Sequence, residues 1–497
     1  MNATAAGEIA ARPIVGGASS IARALSFGRG LPGVERTVML AVNGSQDVTR
    51  AAAAAGLKET DIVTRGSWSQ ADLLSVLKEL STGAKDVFYF FADCPLLDAA
   101  VSVRMHENHV KYFADYTFAD GYPLGLCPEI MTSETVGRLA SMAQVSAPAG
   151  RDTMFDLIKQ DINSFDIETE LAPRDQRLLR ASLTADTERS FMLLERVVGL
   201  GGSDAASVMK VLDEHPQIMR TLPAFFPIQI VDGCPQACAY CPYPRFGGDV
   251  LKAKGSMPAE RFAALVESIS RLCRDAVIDL SLWGEPSRHP EIERIVETVT
   301  ADPGLTLVIE TSGIGWNPDA LSRMAKRPGK PVWIVSLDAM DPALYAALRG
   351  DGFEEARRTA DLLLELFPGS TYVQAVRMKE NEEDLEVFYK TWKERTKGII
   401  IQKYDDFSGF LPRKKVADLS PLSRAPCWHL KRDMPILLDG RVPACREDVG
   451  FTRILGNAFT DDLAEIWRRG EELHARHIKG EYPGICASCD EWYTYNF

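Results

Sequence analysis

Three cysteines near the middle of the chain have a spacing that could hold one metal cluster. Cys234, Cys238 and Cys241 form the pattern C-x3-C-x2-C directly after the apolar run 225–231, which predicts a strand. The turn signal at 232–233 ends that strand, so the thiolates of the following loop can converge on one point. Three thiolates leave one iron of a four-iron cluster open for chemistry. The alternatives are a structural zinc site, which would need a fourth Cys or His that this loop lacks, and three unrelated core cysteines.

The cysteine spacing resembles that of the radical S-adenosylmethionine (SAM) superfamily. In this family a [4Fe-4S] cluster binds SAM through the open iron and donates an electron that breaks a carbon–sulfur bond, which yields a 5′-deoxyadenosyl radical. The resemblance makes Cys234, Cys238 and Cys241 the catalytic cluster ligands and places Tyr240 beside the adenine. It also implies an electron donor of the flavodoxin or ferredoxin type.

Segments at the ends of later predicted strands strengthen the resemblance. Gly284 and Glu285 are similar to the family's GGE segment, which meets the amino group of SAM, and the resemblance implies that role for them. A hydrogen-bond acceptor such as a carboxylate suits the cationic amino group of SAM, and a glycine, which has no side chain, lets the backbone approach that group closely. The segment 310–313 (ETSG) is similar to the family's TNG. Ser336 and Asp338 match a segment that hydrogen-bonds the ribose or the carboxylate of SAM.

Predicted strands alternate with helical patterns through the middle of the chain. The six strands are 226–231, 276–283, 305–311, 331–337, 371–378 and 398–404. Such alternation is typical of an α/β fold with a parallel sheet or partial barrel, whose chemistry lies at the carboxyl ends of the strands. The strand count resembles the partial (β/α)6 barrel of radical SAM enzymes.

Four more cysteines lie beyond residue 406 and could close a second metal site. They are Cys427, Cys445, Cys486 and Cys489. Four thiolates suit either structural zinc or an iron–sulfur cluster, and the spacing alone leaves both open. The arrangement resembles the SPASM region of radical SAM enzymes, or its shorter twitch form. This resemblance implies one auxiliary [4Fe-4S] cluster that is fully ligated by protein and passes electrons.

Two acidic residues in the first third of the chain could hold a different metal. Asp93 follows an apolar strand pattern, and the alternating strands and helices here predict a parallel α/β sheet with ligands at strand ends. The stretches around Asp93, 115–129 and 179–188 resemble sugar nucleotidyltransferases of the cytidylyltransferase type, with a GT-A or Rossmann-like fold. The resemblance implies that Asp93 and Asp186 hold Mg²⁺ beneath a nucleoside triphosphate. No lysine precedes Lys58, so the opening lacks the lysine of the family's triphosphate-gripping loop and would neutralise a triphosphate incompletely. This departure favours a degenerate or substrate-holding domain.

Composition and length limit the classes of partner and the number of domains. The chain has 497 residues, ten cysteines and a formal net charge of −13. This acidic balance argues against nucleic acid or an anionic membrane as a partner, and no run of 18 apolar residues predicts a membrane span. The cysteine spacing, without a signal-peptide pattern, indicates a reducing cytoplasm. We predict a nucleotidyltransferase-like domain at 1–213, a radical SAM partial barrel at 214–405 and a small SPASM or twitch iron–sulfur domain at 406–497.

The whole chain most resembles the spiro-SPASM proteins, which join a nucleotidyltransferase-like front to a radical SAM and SPASM back. We therefore predict a cytoplasmic oxidoreductase that cleaves SAM to a 5′-deoxyadenosyl radical and modifies its substrate with help from an auxiliary cluster. The SPASM resemblance favours a peptide or protein side chain as substrate, and the first domain favours a sugar nucleotide. The alternatives are a sugar nucleotidyltransferase with a regulatory or structural metal-binding C-terminal half, and a non-catalytic zinc-binding scaffold.

Overall fold

The computed structural model describes residues 1–15, 17–252 and 254–494. The chain folds into two compact units, Met1–Thr221 and Leu222–Phe497, and each has a hydrophobic core of its own. Within the described residues, every helix is too short or too polar to cross a membrane. The division into three domains stays a prediction.

The first unit combines helices with strands that form two sheets among the described residues. Its strands are β1 (Asn2–Ala3), β2 (Met39–Val42), β3 (Ile62–Arg65), β4 (Asp86–Tyr89), β5 (Tyr116–Asp120), β6 (Glu129–Thr132) and β7 (Ile167–Leu171). Its helices are α1 (Glu8–Ala11), α2 (Ser20–Gly30), α3 (Gln46–Ala54), α4 (Gln70–Leu80), α5 (Ala99–Lys111), α6 (Ser133–Met142), α7 (Thr153–Ile158), α8 (Glu188–Gly199) and α9 (Ala205–Glu214).

The two sheets of the first unit differ in strand direction. Strands β1, β2 and β3 are parallel. The other sheet has the order β4, β6, β5, β7, and β6 runs antiparallel to both of its neighbours, so the prediction of a parallel sheet is wrong for β6. An isolated parallel bridge from Asn2 to Phe91 joins the sheets just before Asp93. The resemblance of this unit to nucleotidyltransferases stays a prediction.

The second unit contains the remaining strands and helices. Its strands are β8 (Phe225–Pro227), β9 (Val231–Asp232), β10 (Gly255–Ser256), β11 (Val277–Asp279), β12 (Thr306–Thr311), β13 (Val332–Ser336), β14 (Thr371–Arg377), β15 (Ile399–Lys403), β16 (Arg441–Pro443) and β17 (Ile454–Asn457). Its helices are α10 (Tyr243–Phe246), α11 (Ala259–Leu272), α12 (Ile292–Thr300), α13 (Pro318–Ala325), α14 (Pro342–Arg349), α15 (Phe353–Leu366), α16 (Asp384–Lys393), α17 (His429–Arg432), α18 (Leu463–Arg469) and α19 (Glu471–Ile478).

An open parallel sheet organises the second unit. Among the described residues its strands lie in the order β8, β11, β12, β13, β14, β15, and every neighbouring pair is parallel. Fully buried strand residues such as Phe226, Trp333 and Ala375 belong to one core with the helices that connect the strands. The predicted α/β partial barrel is confirmed, and the carboxyl ends of its strands meet at one edge.

A segment from the C-terminal part of the chain extends the sheet beyond β8. The Met434 N–H donates to Phe225 O at 2.9 Å, and the Ile436 N–H donates to Pro227 O at 2.8 Å. Pro435 lies between these donors, at a position whose missing N–H would point away from β8. Because the pairing is parallel, the chain after β8 and the chain after Ile436 leave the sheet at the same edge.

Candidate active site

The loop that carries three cysteines begins where β9 ends, and backbone hydrogen bonds fix its course. The Cys234 N–H donates to Val250 O at 2.7 Å, and the Cys241 N–H donates to Cys238 O at 3.1 Å. The three thiols are free and partly buried, and Cys238 is close enough to Cys234 and Cys241 to contribute to the raised pKa of each. Burial raises the pKa of Cys234 to about 12, so binding of a cluster must displace protons from this loop.

A buried group of polar side chains ties the cysteine loop to the barrel. We call it the loop clamp, and it consists of Gln236, Tyr240, Asp338 and Arg349. Arg349 donates to Gln236 Oε1 at 3.0 Å and also contacts Asp338 and the Tyr240 hydroxyl, which itself donates to Asp338 Oδ2 at 2.6 Å. Asp338 is fully buried and Arg349 is 4% exposed. The clamp therefore joins the cysteine loop to the residues after β13 and to the end of α14.

Asp338 has partners on both carboxylate oxygens. The second oxygen, Oδ1, accepts the Val376 N–H at 2.6 Å. The residue adopts a left-handed conformation at φ +65°, which is uncommon for a residue with a side chain, so its surroundings must stabilise it. In this structure Asp338 contacts the cysteine loop through the Tyr240 hydroxyl, and direct contacts of Asp338 and Tyr240 with SAM stay predictions.

Gly284 and Glu285 pack directly beneath the start of the cysteine loop. A Cβ on Gly284, at φ +87°, would collide with the carbonyl oxygen of Val231, so only glycine fits there. The Glu285 N–H donates to Gly233 O at 2.9 Å. The Glu285 carboxylate accepts hydrogen bonds from Thr311 Oγ1 at 2.6 Å and from the Ser312 N–H at 2.8 Å. Glu285 thus links the segments that follow β11 and β12.

Ser336 lies in a hydrogen-bonded group that spans three strands. Gln374 on β14 donates to Glu310 Oε1 at 2.7 Å and to Ser336 Oγ at 3.2 Å, and Ser336 Oγ is 3.3 Å from the same Glu310 oxygen. Ser336 and Gln374 are buried. This group orients the Glu310 carboxyl at the edge of the sheet where the cysteine loop lies.

One cavity brings the cysteine loop and the strand ends together. Of the predicted site residues, its lining includes Cys234, Cys238, Tyr240, Cys241 and Gly284. The other predicted contacts, Glu285, Ser336 and Asp338, are buried and absent from the lining that the described residues form. The structure thus places five predicted residues at the cavity and three behind its wall.

The cavity lining also contains polar residues that were not among the predicted site residues. They include Glu310, Gln402, Lys403, Asp405 and Arg446. Gln402 and Lys403 are at the end of β15, so their position at the carboxyl end of a barrel strand is a signal that could have found them. Arg446 carries no such signal, apart from its place next to Cys445.

The four C-terminal cysteines also lie close to one another. Cys427 and Cys489 each contribute to the raised pKa of Cys445, and Cys486 contributes to that of Cys427. Burial is the main cause, and it raises the pKa of Cys427 to about 12. Backbone N–H groups of Glu447 and Glu491 point at sulfur, 3.5 Å from Cys445 Sγ and 3.4 Å from Cys489 Sγ. These are donors that favour thiolate sulfur and therefore fit a metal cluster.

The predicted Mg²⁺ pair in the first unit has a different cation between its carboxylates. The structure brings Asp93 and Asp186 together, and the Ala185 N–H donates to Asp93 O at 2.7 Å. The guanidinium of Arg151 contacts both carboxylates. The residues present therefore do not fit the Mg²⁺ that we predicted, because an arginine already occupies the position between them.

Two family models match the second unit. The radical SAM superfamily model matches residues 228–391, and the model of the SPASM iron–sulfur cluster-binding domain matches residues 427–490. An uncharacterized protein of Treponema pallidum (strain Nichols) is 40% identical over 358 residues, which cover 69% of this chain and 98% of that protein. The chain belongs to the radical SAM superfamily. This radical SAM enzyme also carries a SPASM domain. It therefore uses a SAM-binding [4Fe-4S] cluster and auxiliary iron–sulfur ligation, and the alternative of a structural zinc site loses its support.

Two solved structures have a detectable likeness to this radical SAM enzyme. SuiB of Streptococcus suis bound to S-adenosylmethionine has a TM-score of 0.41 at 17% identity, and the match covers 55% of this chain and 74% of that chain. The protein anSMEcpe with bound AdoMet has a TM-score of 0.41 at 16% identity, over 55% of this chain and 84% of that chain. Likeness at this level leaves the substrate open.

Proposed function

We propose that this enzyme performs a net oxidation of its substrate in the cavity that the cysteine loop and Arg446 line. Cys234, Cys238 and Cys241 would hold the SAM-binding cluster. One auxiliary [4Fe-4S] cluster would be held by Cys427, Cys445, Cys486 and Cys489. The observation that carries the proposal is that Arg446, the residue after Cys445, lines the same cavity as the three cysteines of the loop.

The chain's own residues would position the reactants. SAM and its cluster, when bound, supply a 5′-deoxyadenosyl radical that takes one hydrogen atom from the substrate. The loop clamp keeps the three thiols fixed during this step, and Glu285 keeps the strand ends in place behind them. Because Arg446 and Cys445 are consecutive, the auxiliary cluster that Cys445 would help to hold would be available to accept the unpaired electron of the substrate radical. Loss of a proton from the substrate to a carboxylate of the cavity wall or to solvent would complete the two-electron oxidation.

We propose a peptide or protein side chain as the substrate class. Support comes from the resemblance of the C-terminal region to SPASM enzymes and from the cavity wall, which contains the cations Lys403 and Arg446 and the carboxyls Asp405 and Glu310. Both cations already form ion pairs with neighbouring carboxylates and would share them with a ligand. Such a wall suits a polar, zwitterionic segment better than an apolar ligand. A sugar nucleotide is the alternative, favoured by the sequence resemblance of the first unit. A reductant of the flavodoxin or ferredoxin type would supply the electron for SAM cleavage.

The test compares cysteine variants of anaerobically reconstituted enzyme. Cys238→Ala should lose SAM cleavage to 5′-deoxyadenosine and part of the bound iron. Cys445→Ala should retain SAM cleavage, with loss of iron from the auxiliary site only and no oxidised product. Cys127→Ala, a cysteine of the first unit, is the matched control and should change neither readout. SAM cleavage that survives Cys238→Ala would contradict the proposal.

Substrate candidates can be ranked by isotope transfer. A deuterated peptide or sugar nucleotide that is the true substrate should pass deuterium into 5′-deoxyadenosine. If a library of deuterated peptides keeps all its deuterium while a deuterated sugar nucleotide passes deuterium into 5′-deoxyadenosine, the substrate is a sugar nucleotide and the proposed class is wrong.

A further inference from the structure

Arg151 in the first unit lies between the two carboxylates that resemble a magnesium site. Its Nη2 atom is 2.5 Å from Asp93 Oδ2 and 3.1 Å from Asp186 Oδ2. The Asp93 side chain is 2% exposed, whereas those of Arg151 and Asp186 are 22% and 27% exposed. One nitrogen thus bridges two acids at the point where a bridging metal ion would lie.

The surrounding residues hold this arrangement from several sides. The guanidinium of Arg151 lies over the Phe91 ring, 4.8 Å from its centroid. The remaining Asp186 oxygen, Oδ1, accepts a hydrogen bond from Thr184 Oγ1 at 2.6 Å, and the Cys94 thiol is 3.5 Å from Asp93 Oδ1. All four carboxylate oxygens therefore have partners within this group, and the arginine has a stacking partner as well.

A divalent ion and this arginine cannot share the site. Mg²⁺ requires nearly octahedral oxygen ligation, whereas a guanidinium has only donors and offers no ligand. An ion placed between the carboxylates would also lie within a few ångströms of a fixed positive charge, and the repulsion is strong where solvent is partly excluded. Metal binding would therefore require Arg151 to leave both acids and the Phe91 ring.

We infer that Arg151 replaces the divalent cation in the first unit, so that this carboxylate pair is a metal-free ion triad. The inference concerns a unit to which the proposed function assigns no step, and it stands independently of that function. It removes the metal on which a nucleotidyl transfer at Asp93 and Asp186 would depend. The sequence showed the acids and not the arginine, because Arg151 is 58 residues from Asp93 and 35 from Asp186.

The experiment uses Mn²⁺ as the probe, followed by room-temperature electron paramagnetic resonance on full-length holoprotein, with and without a nucleoside triphosphate. Free Mn²⁺ gives a signal under these conditions that bound Mn²⁺ loses. The wild-type protein should show only the weak, nonspecific Mn²⁺ binding that all the variants also show. Arg151→Ala and Arg151→Gln should gain one site that binds about tenfold tighter or better, since each removes the bridging charge and leaves two carboxylates.

The control is the double variant Asp93→Asn/Arg151→Ala, which should lose the gained site. Circular dichroism and thermal melting identify variants that fold, and the glutamine variant retains a longer, polar side chain if the alanine variant does not fold. Stoichiometric Mn²⁺ binding by wild type that Asp93→Asn abolishes would overturn the inference. Failure of both folded Arg151 variants to gain a Mn²⁺ site would also overturn the inference, because the two carboxylates would then not be a cation-binding pair.

Discussion

At the scale of single residues, Arg349 is a buried cation that touches both the cysteine loop and the barrel. Burial of a charge is unfavourable unless the charge is paired and hydrogen-bonded. Here Asp338, Tyr240 and Gln236 supply the partners, and Arg349 also lowers the pKa of Cys238 by its charge, against the larger effect of burial. One side chain therefore affects both the position of the loop and the electrostatics of a thiol.

Arg349→Gln should destabilise the enzyme and weaken its hold on the SAM-binding cluster. Loss of the guanidinium leaves Asp338 buried without its partner, which typically costs about 3–5 kcal/mol. The measurements are the thermal midpoint and the iron bound per chain after reconstitution. Arg358→Gln, at an exposed position of α15, is the matched control. Equal midpoints and equal iron in the two variants would contradict a role for the clamp.

Asp279, at the end of β11, should make stability depend on pH. Burial raises its pKa to about 7, with a further contribution from Glu310 and Asp433 that Ser281 and Arg446 oppose. The folded protein therefore holds a proton that the unfolded chain releases near pH 4. The contribution of Asp279 to the free energy of unfolding is complete below pH 4 and is lost as the pH rises through 7. The total loss is roughly 4 kcal/mol at most.

Asp279→Asn should remove this pH dependence. The variant's gain in thermal midpoint over wild type should be larger at pH 8.5 than at pH 6, since the amide stays neutral at both. Midpoints of the anaerobic proteins at the two pH values are the measurement. A constant difference between variant and wild type would show that Asp279 does not titrate in this range.

At the scale of elements, the sequence predicted the last four strands of the barrel closely and the first two poorly. The four predicted strands from 305–311 onward end within one residue of β12 to β15. The predicted strands 226–231 and 276–283 are too long, because β8 ends at Pro227 and β11 at Asp279. Apolar residues continue past both ends. An apolar run shows burial and does not show where strand pairing stops.

The same limit explains which site residues were found. The cysteines, Gly284 and Glu285 lie in short local motifs, so the spacing of the cysteines and the resemblance of the glycine and glutamate to a family segment were enough to find them. Gln236 and Arg349 are 113 residues apart, and their pairing depends on how α14 packs against the cysteine loop. Single-sequence patterns carry no information about such long-range pairs.

The pairing between β8 and the segment 433–436 should be essential for the C-terminal part of the second unit. Ile436→Pro removes the N–H that donates to Pro227 O and leaves a buried acceptor unsatisfied, which costs about 1–3 kcal/mol before packing losses. Ile436→Val keeps the N–H and tests packing alone, at about 0.5–1.5 kcal/mol. Thermal midpoints and auxiliary iron content are the measurements. Equal effects of the two substitutions would contradict the importance of this hydrogen bond.

At the scale of the whole molecule, two cores share one chain. The radical SAM and SPASM matches both lie in the second unit. The 358 residues aligned with the Treponema pallidum protein exceed the length of that unit, so the relative also shares part of the first unit. At least part of the first unit is therefore common to these two proteins, and the spiro-SPASM assignment stays a prediction.

Removal of the clusters should destabilise one core and spare the other. Ligands that bind only the folded state stabilise the unit that holds them. Calorimetry of the holoprotein should show two transitions, and chelation of iron should lower only the transition that Ile436→Pro also lowers. A parallel fall of both transitions would mean that the cores unfold as one.

The place of Arg446 has a practical consequence for protein engineering. Its side chain lines the cavity that we propose for the substrate, and it follows Cys445 directly in the chain. A substitution of Arg446 that enlarges the cavity or changes its charge also changes the electrostatic potential at the Cys445 sulfur. Substrate selectivity and the electron affinity of the auxiliary cluster therefore cannot be changed independently at Arg446. A mutant library designed to change the substrate would do better to begin at Gln402, which lines the same cavity.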